Sequence, residues 1–228
     1  MQNGGWTLMP DWQDKGIILG TRRFGENGVV LSALTYEHGR HLGLIRTRTM
    51  PLIGTVADLK WRARLPEHLG TFTCEVINPL SASFMDDRGR LSAISSLCAL
   101  LDETLPEREP VSEFYTLIYD FLNHLNDDNW RENYVRLEVD LLSVLGFGLD
   151  LSKCAAGGGD NLAYVSPKTG RAVSREKAEP YREKLLPLPA FLIKDTPATE
   201  KDIKDGLRLT GYFLSQHVKN LPVMRSYI

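Results

Sequence analysis

The chain has 228 residues, 43% of them hydrophobic and 25% charged, the mixture of a globular protein with a buried core rather than of a disordered one. No apolar run is long enough to span a bilayer, residues 1–10 lack the basic start and apolar stretch of a secretory signal, and three scattered cysteines, Cys74, Cys98 and Cys154, make no disulfide scaffold, so the reducing cytoplasm is the expected compartment. The formal net charge of −2 conceals an asymmetry: bases dominate between Lys15 and Arg64, acids between Met85 and Leu145, as if the first segment met a polyanion and the second did not.

Residues 1–10 read as a loose extension. Short β-branched runs bounded by glycines then predict strands over 16–21, 28–35 and 41–46, with a turn at His38-Gly39-Arg40, followed by strands over 58–65 and 71–76. Five short strands with closely spaced turn signals fit a small barrel, an OB-fold being a five-stranded Greek-key barrel; composition does not separate it from an SH3-like barrel. After Pro79 the period changes to that of helices. Leu91, Ile94, Leu97, Cys98, Leu101 and Leu105 share one helical face, with Asp86-Asp87 placed as its cap, and the segment from Pro106 to Pro110 ends it. Phe114, Leu117, Ile118, Phe121, Leu122 and Leu125 form a second stripe and Tyr134, Leu137, Leu141, Leu142 and Leu145 a third, closed by Gly146 and Gly148. A glycine-rich loop and a hairpin over 164–173 follow, and a last helix is expected from about Glu200 to Lys219. The reading is an α+β chain: a barrel domain over 1–80, then a helical domain over 81–228 with an inserted hairpin module at about 152–180.

The residues that carry chemistry are cations. Alternate side chains of a strand share a face, so Lys60, Arg62 and Arg64 project together while Trp61, Ala63 and Leu65 turn away, and Arg46 and Arg48 have the same spacing. Cations aligned on a barrel wall neutralise phosphates and give salt-sensitive, sequence-tolerant binding; the plain alternative is a solvated strand face. Arg22, Arg23 and Phe24 follow the first strand, where the ring is either a core residue or a platform for a base. His38 and His41 flank a turn, which is expected to send their side chains apart, and no third metal ligand is obvious. Gly157-Gly158-Gly159 lacks the Lys-Ser/Thr of a phosphate loop, and no nucleophile elbow or Cys-His pair occurs. No catalytic residue, metal or cofactor is therefore expected.

Three stretches in order resemble the bacterial RecO family of recombination mediators in DNA repair: Gly16-Ile17-Ile18-Leu19-Gly20-Thr21-Arg22-Arg23-Phe24-Gly25-Glu26 with Leu31, Thr35 and Gly39-Arg40; Leu141 to Leu151 followed by Cys154; and Tyr164-Val165-Ser166-Pro167-Lys168-Thr169-Gly170. The resemblance implies an N-terminal OB-fold, a helical C-terminal domain and an inserted module that holds zinc in many relatives. It implies binding of single- and double-stranded DNA, for which Arg22, Arg23, Arg40, Arg46, Arg48, Lys60, Arg62 and Arg64 of the basic segment are the candidate contacting cations. It also implies strand annealing and assistance to RecA loading, with RecR and the tail of the single-stranded-DNA-binding protein as partners, no membrane, and a place in the cytoplasm at the nucleoid. The alternative is a protein-interaction scaffold whose basic barrel takes an acidic protein partner. Where zinc-binding relatives carry two Cys-x-x-Cys pairs, this chain keeps Cys154 but has Gly157, Ser174 and Lys177 at the other places; a single thiol does not hold tetrahedral zinc, so a degenerate, metal-free module is expected.

Overall fold

The computed structural model describes residues 11–47 and 49–228. Arg48 and the expected loose extension lie outside the described residues. Five strands, β1 (Asp11–Phe24), β2 (Gly28–Thr35), β3 (Gly39–Arg46), β4 (Val56–Arg62) and β5 (Thr71–Asn78), close into a barrel in the order β1-β2-β3-β5-β4. In the chain, α1 (Arg88–Thr104), α2 (Ser112–Asn123) and α3 (Trp130–Val144) follow the barrel; the fold is α+β and the barrel is an OB-fold.

The barrel closes because β1 is long enough to serve two neighbours. Its first half pairs with β4, from Asp11↔Arg62 to Ile17↔Val56, and its second half with β2, from Gly16↔Thr35 to Phe24↔Gly28. A bulge between Ile18 and Gly20 bends the strand between the two halves. The apolar pattern predicted only residues 16–21 of it: residues 11–15 alternate exposed polar with half-buried side chains, so they lack the apolar run that marked the rest. At the other limit, the strand expected to reach Leu65 stops at Arg62. Leu65 is 42% exposed, and Pro66 has no N–H to continue a ladder. The interior holds Ile18, Val29, Leu31, Ala33, Ile45, Leu59, Trp61 and Phe72. Gly70 stands at φ +67, where a Cβ would come within 2.5 Å of the Trp61 indole, whose N–H donates to the Leu69 carbonyl at 3.1 Å.

β2 is buried on both faces, and α1, packed on the adjacent β1, reaches it at Ser32. Asp87 caps this helix, its carboxylate accepting the Arg90 N–H at 2.9 Å. Ile94 of α1 sits where a Cβ on Gly54 would clash. The Cys98 thiol lies 3.7 Å from the Ile18 carbonyl, and Asp102 accepts the Ser32 hydroxyl at 2.5 Å. The first compact unit accordingly runs to Tyr115 and includes Tyr227, whereas the sequence placed the break at residue 80.

The second compact unit spans Thr116–Ser226 with Ile228. α3 packs against α5 (Glu200–Leu214), and the two come so close that a Cβ on Gly206 would lie 2.9 Å from Val135. A three-stranded sheet, β7-β6-β8, is built from β6 (Leu162–Val165), β7 (Ala172–Ser174) and β8 (Leu186–Pro187), with α4 (Arg175–Ala178) after β7. The expected hairpin is thus present, with a third strand beyond the predicted limit of 180. α5 starts at the predicted Glu200, behind a capping box of Thr199 and Asp202. It stops at Leu214 rather than Lys219, because the chain tightens into turns in which the His217 N–H reaches the Leu214 carbonyl at 2.9 Å.

Candidate nucleic-acid interface

Outside the area that α1 covers, the barrel wall over β4, β5 and β3 is open. Lys60 and Arg62 are exposed, while Leu59, Trp61 and Ala63 between and beside them are buried; Arg64, one residue past Ala63, is exposed as well. Residues directly opposite in a sheet share a face. Lys60 stands opposite Thr73 and Arg62 opposite Thr71, and Thr71 stands opposite Leu44 of β3. That single parallel pairing joins β3 to β5. Beside it a cleft of about 740 Å³ is lined by Arg46, Thr71, Phe72, Thr73 and Met50, and among the described residues no carboxylate lines it. Two cations of β4 therefore flank one side of a cleft whose other side carries Arg46, with short hydroxyl side chains between.

The wall is not uniformly positive. Asp11 lies 3.5 Å from Arg62, both well exposed, and Asp58 stands opposite Lys15 and Glu75. Exposed pairs of this kind are weak and screened, so they dilute the field without removing the cations. Among the described residues, Arg22, Arg23, Arg46, Lys60 and Arg64 have no ion-pair partner. Phe24 is 58% exposed, which excludes the core reading of that ring. It stands opposite Gly28, and Gly28 stands opposite Arg46, so nothing but a glycine separates the ring from the guanidinium across the sheet. The Thr47 N–H to Asn27 carbonyl bond, 3.1 Å, ties the β1–β2 turn to the segment leaving β3.

Arg40 departs from the expectation that it contacts DNA. Its Nε donates to the Leu105 carbonyl at 2.8 Å, and its guanidinium lies 3.3 Å from Asp102 and 3.5 Å from Glu107. The side chain is largely buried, under the end of α1. Its charge is spent on holding the helix to the barrel. The histidines also depart from expectation: the side chains of His38 and His41 converge rather than diverge. Both pack on Trp12, His38 stacked at 4.2 Å between centroids and His41 edge-on at 5.0 Å, with Trp61 and Phe72 completing an aromatic plug. Asp14 fixes the turn by accepting from the Glu37 N–H at 2.7 Å and lying 3.3 Å from His38 Nδ1. Burial pushes His41 down from 6.5 to about 4, with the charges of Arg108 and Arg40 in the same direction and its bond to the His38 carbonyl opposing.

In the hairpin module, the Ser174 N–H donates to the Cys154 sulfur at 3.3 Å. Slight burial raises the thiol, but that bond, a second from Ala156 and the Lys177 charge outweigh it, leaving Cys154 below the ordinary thiol range. Among the described residues no cluster of three or more His, Cys, Asp or Glu side chains is placed to hold a metal ion. No helix of the described residues is long and apolar enough to cross a membrane.

Sequence reasoning found the cations and missed Thr71 and Thr73, the floor between them. The alternation Thr71-Phe72-Thr73-Cys74 is the signal that puts both hydroxyls on the outer face.

An OB-fold barrel with an open basic cleft, followed by a helical unit with a small inserted sheet, defines the class. Family models for the N-terminal and C-terminal parts of recombination protein O match residues 9–80 and 85–226. The chain is 42% identical to the DNA repair protein RecO of Rhodospirillum rubrum, over 95% of this chain and 94% of that one. Identity is 45% to the RecO of Methylocella silvestris, covering 91% and 88%, and 46% to that of Mesorhizobium japonicum, covering 91% and 86%. The chain belongs to the RecO family of DNA repair and recombination proteins.

Proposed function

We propose that the β3–β5 cleft holds the sugar-phosphate chain of DNA, single- or double-stranded, and that the chain acts without catalysis as a recombination mediator. In this reading it anneals complementary strands and assists RecA loading, with RecR and the tail of the single-stranded-DNA-binding protein as partners, in the cytoplasm at the nucleoid. The observation that carries the reading is the cleft itself: Arg46 lines it with no acid among its described lining residues, and Lys60 and Arg62 stand on β4 opposite its lining Thr73 and Thr71. Cations so placed capture phosphates by releasing counterions, whatever the base sequence. The exposed Phe24 beside Arg46 adds a surface on which a base stacks. Family membership supports the setting in repair and recombination.

The test is fluorescence anisotropy with labelled single- and double-stranded oligonucleotides at several salt concentrations, comparing the parent with Arg46→Glu/Lys60→Glu. Binding is expected to weaken for every sequence, and the slope of log affinity against log salt to fall by about 1 for each lost phosphate contact. An affinity and slope matching the parent refute the cleft. A labelled acidic peptide run in parallel supports the scaffold reading instead if it alone loses affinity.

A further inference from the structure

The second compact unit holds a groove of its own, about 740 Å³, bounded by the β6–β8 side of the small sheet and by α5. Arg175 and Arg182 come from the segment after β7, Lys194 from the chain leaving β8, and Lys201 and Arg208 from α5; all five are exposed. The acids that share the lining are largely committed. Asp202 accepts from the Thr199 N–H at 2.9 Å and its hydroxyl at 2.6 Å to cap α5, and Asp205 pairs with Lys201. Arg182, Lys194 and Arg208 have no ion-pair partner among the described residues, and of the three lining acids Asp205 alone is in an ion pair. The lining also includes apolar side chains such as Leu162, Leu188 and Ile193 and the half-buried ring of Tyr164.

We infer that this groove is a second binding site for the phosphodiester chain of single-stranded nucleic acid, made entirely of residues of the second unit. Cations on facing walls suit a charged chain running between them, and arginine forks pair with phosphate through two hydrogen bonds. The Tyr164 ring in the lining offers a base a stacking surface that is indifferent to sequence. Sequence reasoning passed over the site because the acids of the same segment cancel its bases in any running sum, whereas the folded lining brings together five cations and three acids. The inference rests on the proposed DNA reading for its ligand class, and on none of the barrel residues. It gives the protein two strand sites, the minimum for bringing two complementary strands together.

The experiment uses the full chain and a labelled oligothymidine, titrated to saturation at several salt concentrations. The parent is compared with Arg182→Glu/Arg208→Glu, the neutral Arg182→Gln/Arg208→Gln, the barrel variant Arg46→Glu/Lys60→Glu, that barrel variant carrying the neutral groove substitutions, and the combination of groove and barrel reversals. Thermal melts confirm that each is folded; all substituted side chains are exposed. The parent is expected to bind two strands and each single-site variant one, with the combination binding none. In the barrel variant, where only the groove remains, the neutral groove substitutions are expected to lower the salt slope by about 1.4, roughly 0.7 for each cation. Parental stoichiometry and slope in the groove variants overturn the inference while leaving the barrel reading intact. Parental behaviour in the barrel variant alone refutes the barrel reading while leaving the groove. Loss of a labelled acidic peptide with oligonucleotide binding unchanged also overturns the inference, and assigns the groove to a protein ligand.

Discussion

At the scale of single residues, His41 couples the barrel to pH. It is 5% exposed, and its Nδ1 donates to the His38 carbonyl at 2.8 Å. The groups around it are His38, Arg40 and Arg108, which oppose a further positive charge, with Asp14 reaching His38 rather than His41. Burial holds its pKa near 4 against 6.5 for the free side chain, so the unfolded chain takes up a proton that the folded barrel refuses. The sign follows: the contribution is whole above pH 6.5, declines as pH falls from 6.5 towards 4, and is flat below that. Urea melts between pH 4 and 8 should show this loss, about 3 kcal/mol at most, and His41→Gln should lack that part of the slope. A variant with the parental pH profile refutes the assignment. The sequence exposed the two histidines as a turn pair and no more, because their meeting point is Trp12. That residue lies in the half of β1 which carries no apolar run and is brought over the turn by pairing with β4. Arg40 was hidden for a similar reason. Its positive charge is visible in the sequence, while the carboxylates that absorb it, Asp102 and Glu107, lie more than sixty residues away.

At the scale of elements, periodicity revealed most of the strands and helices and little of what fastens them. The stripes of α1 and α3, the Asp87 cap and the start of α5 follow from local spacing. The fastening of α3 to α5 does not. Glu138, fully buried on α3, receives Nε and Nη2 of Arg225 at 2.6 and 2.7 Å, and Nη2 also donates to the Thr210 hydroxyl of α5 at 2.8 Å. Nothing in a helical stripe distinguishes Glu138 from a solvated acid, since its partner arrives from a short helical turn over Val223–Tyr227 near the end of the chain. Replacing both members of a buried pair with apolar groups is often tolerated, but removing one strands a charge in a medium that cannot solvate it. Arg225→Ala should therefore cost about 3–5 kcal/mol, read as a lower urea midpoint, and Glu138→Gln with Arg225→Met should recover much of that loss. A single Arg225→Ala variant as stable as the parent refutes the strap.

At the scale of the whole molecule, the question is what constitutes a folding unit. The family models part at residues 80 and 85, and the five strands form a closed ring before that point. Yet the ring has two apolar surfaces. The interior side of β2, with Val29, Leu31 and Ala33, faces the barrel core. Leu34 and Val30 alternate with these residues and so point outward, and both are buried. α1 packs on the neighbouring β1 and reaches β2 through Asp102, which accepts from the outward Ser32 hydroxyl. Without the segment of α1 and the residues just after it, Arg40 would lose the Leu105 carbonyl and both carboxylates, and the buried Ser32 hydroxyl would lose Asp102. A fragment ending at Leu80 should therefore lack a cooperative thermal transition and bind a hydrophobic dye, whereas one ending at Tyr115 should melt cooperatively and bind none. Circular dichroism and dye fluorescence on the two fragments distinguish the cases. If the shorter fragment melts as sharply as the longer, the barrel is self-sufficient and α1 is only a neighbour.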